Sequence, residues 1–207
     1  MGAYKPMFTV ALIGGIASGK SSALAFFQEK NITCISADTI AKRLTEKNTP
    51  DYQAIAQYLG SDYLDAHGGL DRSKMRKHLL HSPAFKQWLE QLLHPKIRRQ
   101  MLELRNQATS PYCVFEIPLL KDKKSYGIDE VLCINCDEKK QIQRLQQRHL
   151  TEEEIQGLLA AQIPLQQRIE LADVVINNDG SIQNFYQALE PLHEKYLKLS
   201  SEAQKTS

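Results

Sequence analysis

The stretch GGIASGKSS, Gly14 to Ser22, follows directly on the apolar run FTVALI and constrains this chain more than any other feature. Gly14 to Ser21 fits G-x-x-x-x-G-K-[ST] position for position. The run before it reads as a buried strand, and Ala23, Phe26 and Phe27 after it mark an amphipathic helix. The glycines let the backbone turn tightly and bring its N–H groups against a polyphosphate. A helix starting near Ser18 adds its N-terminal partial positive charge. Lys20 is placed to reach the outer phosphates, Ser21 to ligate Mg²⁺, and Ser22 to donate to an α-phosphate oxygen. Gly14, Gly15, Ile16, Ala17, Ser18, Gly19, Lys20, Ser21 and Ser22 are therefore the predicted phosphate cradle.

Short β-branched runs then alternate with helical patterns: FTVALI, ITCIS, YCVFEI, EVLCIN and DVVI. Apolar runs separated by helices predict an α/β fold, a five-stranded parallel sheet flanked by helices. Asn31 in QEKNI is the predicted left-handed residue closing the first helix. Two stretches interrupt the pattern. Residues 47–108 are mostly helical and polar and read as an inserted subdomain. There Pro95 separates two helical patterns, Trp88/Leu89/Leu92/Leu93 and Ile97/Met101/Leu104. Residues 138–168 read as a lid, restarted by a capping box at Thr151 and Glu154. The core is then 1–46, 109–137 and 169–200.

A net charge of +2 in 207 residues disfavours a general polyanion binder, and no interleaved basic–aromatic stripe points to nucleic acid. No apolar stretch approaches a membrane span, and MGAYKP lacks a secretory layout, so a cytoplasmic location is expected. Cys133 and Cys136 form a CxxC, but with no second pair they are expected to be buried strand residues rather than a metal or redox site.

No NKxD guanine-reading motif is present, and the YCVFEIPLL strand carries Glu116 in the place of a metal-associated acid. A small-molecule kinase needs a base, an acceptor pocket and a basic lid. Asp38 ends the ISADTIAKRL strand, where strand C-termini face a ligand crevice, and is the candidate base or a helix cap. Arg144 and Arg148 are four apart, hence on one helix face, as expected of a lid that closes over an anion. Arg168 follows the capping box.

The ordered set VALIGGIASGKSS, ISADTIAKRL, LLHPKIR, IPLL, QIQRLQQR, LLAAQIPLQQR and ADVVINNDGS resembles the dephospho-coenzyme A kinases over about Thr9 to Tyr196. The resemblance implies a P-loop core, with residues 47–108 as a helical acceptor domain and residues 138–168 as a lid. It also implies ATP-dependent, Mg²⁺-requiring phosphorylation of the ribose 3′-hydroxyl of dephospho-CoA. It makes Asp38 the general base and Arg144 and Arg148 lid contacts to phosphate, with Lys20 in the catalytic set. Asn178 becomes a neighbour of the nucleotide. His94, Pro95, Ile97, Arg98, Leu119 and Leu120 fall in the acceptor site, and Ser21 and Glu116 at the metal. ATP and dephospho-CoA are the expected partners, with the chain a monomer or weak homo-oligomer. The alternatives are a related nucleotide or metabolite kinase and an ATP-switched binding protein. Four positions depart from the family pattern: Ala17 for a third loop glycine, Ser36 for an acid, and His149 and Asn177 where Asp is common. A methyl at Ala17 is tolerated at negative φ and costly at positive φ.

Overall fold

The computed structural model describes residues 7–118, 120, 122–148 and 150–205. Leu119 and His149 lie outside these residues. The chain divides into two compact units, one running to Ser36 and resuming at Glu103, the other Ala37–Leu102.

The first unit is built on five parallel strands, all five of the apolar runs: β1 (Thr9–Gly14), β2 (Thr33–Ser36), β3 (Cys113–Glu116), β4 (Glu130–Asn135) and β5 (Val174–Asn177). Their order is β2-β3-β1-β4-β5. Leu12 pairs with Glu116 on one side and Leu132 on the other, so β1 is central. The chain leaves β1 to one side for β2 and β3 and to the other for β4 and β5. The loop after β1 therefore opens where strand order reverses, at the C-terminal edge where ligands bind in parallel sheets. Every residue of β1, and of β3, is buried. This is why these runs read as continuous apolar stretches without polar alternation.

Helix α1 (Lys20–Glu29) covers the sheet with Ala23, Phe26 and Phe27 buried. It ends as the sequence predicts: Asn31 has φ 59, and the Ile32 N–H bonds to the Phe27 carbonyl at 3.0 Å. Those side chains join Val10, Leu12, Tyr112, Leu132, Ile134, Phe185, Leu189 and Tyr196 in one core. The last three lie on the C-terminal helix running Ile182–Lys205. Tyr112 Oη and His193 Nδ1 are 2.7 Å apart inside this core.

The second unit holds α2 (Ala37–Leu44), α3 (Pro50–Leu59), α4 (Arg72–His81) and most of α5 (Pro83–Gln107). Thr49 caps α3, its side chain accepting from the Tyr52 N–H, with Pro50 at the first helical position. Ile55, Leu70, Met75 and Phe85 form its core. Trp88 stacks on Tyr58 with centroids 4.4 Å apart.

The two helical patterns expected around Pro95 are one 25-residue helix instead. Proline removes one N–H donor, but Leu93, Ile97 and Met101 on either side are buried along one face. That continuous apolar face outweighs the break, and Pro95 itself is exposed.

After β4 come α6 (Glu138–Gln146), α7 (Glu152–Ala160) and α8 (Leu165–Leu171). The helix Ile182–Lys205 that follows β5 is α9. The capping box is formed: the Thr151 hydroxyl accepts from the Glu154 N–H at 3.3 Å, and Glu154 Oε2 accepts from the Thr151 N–H at 3.0 Å. Cys133 is buried in β4 and Cys136 is buried one residue past it; both are free, and burial raises both thiols above the ordinary range. Among the described residues there is no cluster of three or more His, Cys, Asp or Glu able to hold a metal, and no helix long and apolar enough to cross a membrane.

The substituted loop position resolves to the costly case, because Ala17 has φ 54. A left-handed alanine costs about 1–2 kcal/mol. Glycine there gives back about 0.4–1 kcal/mol through the unfolded chain. Ala17→Gly is expected to raise stability by a net amount of order 0.5–1 kcal/mol, read as a higher urea midpoint; an unchanged or lower midpoint would show the strain to be relieved elsewhere.

His193 supplies a pH dependence. Burial lowers its pKa below the ordinary 6.5, with Lys30 acting in the same direction and Glu194 and Glu190 against it. The unfolded chain then binds the proton more readily. Stability is full above 6.5 and declines as pH falls below it towards the folded-state value. Urea unfolding at pH 7.5 and 5.5 should show a larger loss for the wild type than for His193→Gln; equal losses would remove His193 as the source.

Candidate active site

The loop joining β1 to α1 turns its carbonyls toward the protein, where Lys20 of α1 and two side chains from distant parts of the first unit donate to them. Lys20 Nζ donates to the Gly14 and Gly15 carbonyls at 3.0 and 2.9 Å. Arg144 Nη1 donates to the Ala17 carbonyl at 2.9 Å and the Ser18 carbonyl at 3.3 Å. Its Nη2 donates to the Asn178 carbonyl at 2.9 Å, and its Nη1 also meets Cys136 Sγ at 3.3 Å. The buried Asn178 amide donates to the Ser18 carbonyl at 2.8 Å, while its own N–H is held by the Asn135 carbonyl at 2.8 Å. The loop is thus braced from β4, α6 and the segment after β5.

Gly19 shows why the pattern needs a glycine there. It sits at φ 110, and a Cβ on it would run into the Asn178 amide. Gly15 is covered from another side: Arg168 Nη1, Gln162 Oε1 and Gln141 Nε2 all lie where its Cβ would be. Gln162 Oε1 also accepts from the Ile16 N–H at 2.6 Å. Gln141 Nε2 is anchored on the Cys136 carbonyl at 3.2 Å. Two buried polar atoms of this cluster, Ser18 Oγ and Arg168 Nε, have no hydrogen-bond partner.

The structure therefore brings together Gly14 to Ser22, Arg144 and Asn178 from three separate stretches of sequence. Ser21 is exposed at the start of α1, and Ser22 is partly covered. Glu116 is 8% exposed at the end of β3, in register with Leu12 and Ser36. Arg144 and Asn178 hold loop carbonyls, a bracing role the spacing does not reveal.

Several expectations are corrected. Arg148 does not share a helical face with Arg144: α6 ends at Gln146, and Arg148 lies exposed in the following turn, its N–H bonded to the Leu145 carbonyl at 3.0 Å. Ile97 and Leu120, assigned to the acceptor site by the resemblance, are 7% and 3% exposed. Helix α1 begins at Lys20, two residues later than expected, with Gly19 as its cap.

In the second unit, Asp38 is exposed in the first turn of α2. It is the second helical residue, inside the helix rather than at the cap, where its charge suits the helix N-terminus. His94, Pro95 and Arg98 are exposed on α5. His94 and Arg98 are four apart and share a face.

Gln162, Gln141 and Arg168 were not assigned to the loop from sequence. Gln141 is a buried polar residue in α6 and Gln162 lies in the bend between α7 and α8, and neither position has a periodic signal. Gln162 and Arg168 do lie within LLAAQIPLQQR, one of the ordered motifs.

Known proteins bear on what this loop serves. A family model described as dephospho-CoA kinase matches residues 8–184. The dephospho-CoA kinase of Legionella pneumophila (strain Philadelphia 1) is 41% identical over 194 residues, covering 93% of this chain and 96% of that protein. A crystal structure from Thermus thermophilus superposes with a TM-score of 0.76 at 25% identity, covering 92% of this chain and 98% of that one. The dephospho-CoA kinase of Campylobacter jejuni superposes at 0.64 with 25% identity, covering 92% and 97%. With its loop, sheet order and nearly full-length similarity in agreement, the chain belongs to the dephospho-CoA kinase family.

Proposed function

We propose that the protein transfers the γ-phosphoryl group of ATP to the ribose 3′-hydroxyl of dephospho-CoA, giving coenzyme A and ADP in the last step of coenzyme A synthesis. The observation that carries this reading is the family match over residues 8–184, in a chain whose phosphate loop stands at the strand-order reversal. The protein is a phosphotransferase with an alcohol acceptor.

The loop N–H groups and Lys20 hold the triphosphate. Arg144 and Asn178 keep the loop carbonyls directed away from it, so its donors are set before the nucleotide arrives. The donor set fits a magnesium–nucleotide complex. The buried Ser18 hydroxyl lacks a partner, and the described residues hold no three-ligand cluster. Mg²⁺ takes few protein ligands and relies on phosphates and water. Ser21 and Glu116 would hold it, and the chemistry it would supply is neutralisation of phosphate charge. Residues 37–102 form the acceptor unit, with His94, Pro95 and Arg98 as its acceptor-facing residues. Residues 138–168 act as the lid, with Arg148 exposed in the turn after α6. Asp38 accepts the proton of the 3′-hydroxyl as the new O–P bond forms.

ADP release with Mg-ATP is expected with dephospho-CoA and not with AMP, CMP or a simple sugar alcohol, together with a product one phosphoryl group heavier. Tight ATP binding without that product would assign another acceptor. Lys20→Ala should lower turnover by about 100- to 1000-fold with an unchanged circular dichroism spectrum; near-normal turnover would remove the loop from the chemistry. Asp38→Asn should lower turnover by about 100- to 10,000-fold while leaving the dissociation constant of Mg-ATP unchanged. Normal turnover in that variant would leave Asp38 only its charge interaction with α2.

A further inference from the structure

Arg168 is a cation that the proposed mechanism leaves unused. Its side chain belongs to α8 and is 8% exposed. Its Nη1 lies against Gly15 of the phosphate loop, and its Nε is buried without a hydrogen-bond partner. None of the ion pairs among the described residues involves it. Burial disfavours its charged form.

A guanidinium does not discharge in a protein, so this charge persists without a counter-charge. Such an arrangement disfavours the fold unless it serves a ligand. Gln162 indicates which kind. Its carboxamide oxygen already accepts from the Ile16 N–H at 2.6 Å, beside Arg168 over the same glycine. This face of the loop thus receives acceptor oxygens, and a phosphate oxygen is the stronger acceptor for the same N–H.

We infer that Arg168 is a nucleotide-contacting residue whose guanidinium binds the polyphosphate held by the loop, with Gln162 occupying the Ile16 N–H until phosphate displaces it. The inference rests on the reading that Gly14 to Ser22 bind a nucleotide. It gives α8 a direct part in the site.

Calorimetric titration with inorganic tripolyphosphate and with Mg-ATP tests it, on wild type, Arg168→Gln, Arg168→Lys and Lys20→Ala. Arg168→Gln should weaken both ligands by about 10- to 100-fold. Arg168→Lys should lose less, because it keeps the charge. The ligand-free melting temperature of Arg168→Gln should equal or exceed that of wild type, because an uncompensated buried charge has been removed. Tripolyphosphate binding by Arg168→Gln within about twofold of wild type, with Lys20→Ala impaired, would overturn the inference and leave the nucleotide site standing. A lower ligand-free melting temperature for Arg168→Gln would also overturn it, by showing the arginine to be a structural strut. A wild type that binds neither ligand would overturn the nucleotide reading and this inference with it.

Discussion

The site depends on how the loop after β1 satisfies its own carbonyls. A loop that offers its N–H groups to an anion leaves its C=O groups facing the protein, and buried carbonyls need donors. Here each donor is a cation or an amide, one from the adjoining helix α1 and two from far along the chain. Lys20 takes Gly14 and Gly15, Arg144 takes Ala17 and Ser18, and Asn178 takes Ser18 a second time. Arg144 also holds the Asn178 carbonyl, so its planar guanidinium ties the loop to the segment after β5. The phosphate-binding geometry is therefore a property of four elements and not of nine residues.

The sheet makes that bracing possible. With β1 flanked by β3 and β4, the residues following β4 and β5 arrive behind the loop. Asn178 is pinned by the Asn135 carbonyl at the end of β4, and Asp179 accepts from the Asp137 N–H at 2.7 Å. These contacts extend the parallel pairing of β4 and β5 past the last ladder residues, Asn135 and Asn177. They set the position of the Asn178 amide, which in turn requires glycine at position 19.

Strain and buried charge gather in the same place. Ala17 is one of three described non-glycine residues with positive φ, beside Asn31, which closes α1, and Asn48. Ser18 Oγ and Arg168 Nε are two of the four buried side-chain atoms without partners. The other two, Glu130 Oε1 and Tyr196 Oη, lie elsewhere in the first unit, where Phe27, Tyr112 and Tyr196 pack with ring centroids 5.5–6.5 Å apart. One left-handed residue and two unpartnered polar atoms thus meet at this loop, where local preference and tertiary contacts disagree.

From the sequence alone came the strands, the loop and their order along the chain, because β1, β3 and β4, buried on both faces, leave uninterrupted apolar runs, the partly covered edges β2 and β5 keep β-branched residues, and the loop pattern is local. Asn31 and the Thr151–Glu154 box were legible for the same reason: each acts within a few residues of chain. Helix continuity through Pro95 was not legible, since it rests on a buried face that a local breaker does not report. Nor was the end of α6 before Arg148, because the sequence gives no strong stop there. Only the tertiary structure decided that Arg144 and Asn178 brace the loop, that Ala17 is left-handed, and that Gln162 and Arg168 cover Gly15. Those contacts join residues more than a hundred positions apart, and no periodicity within either segment encodes which distant carbonyl a side chain will meet.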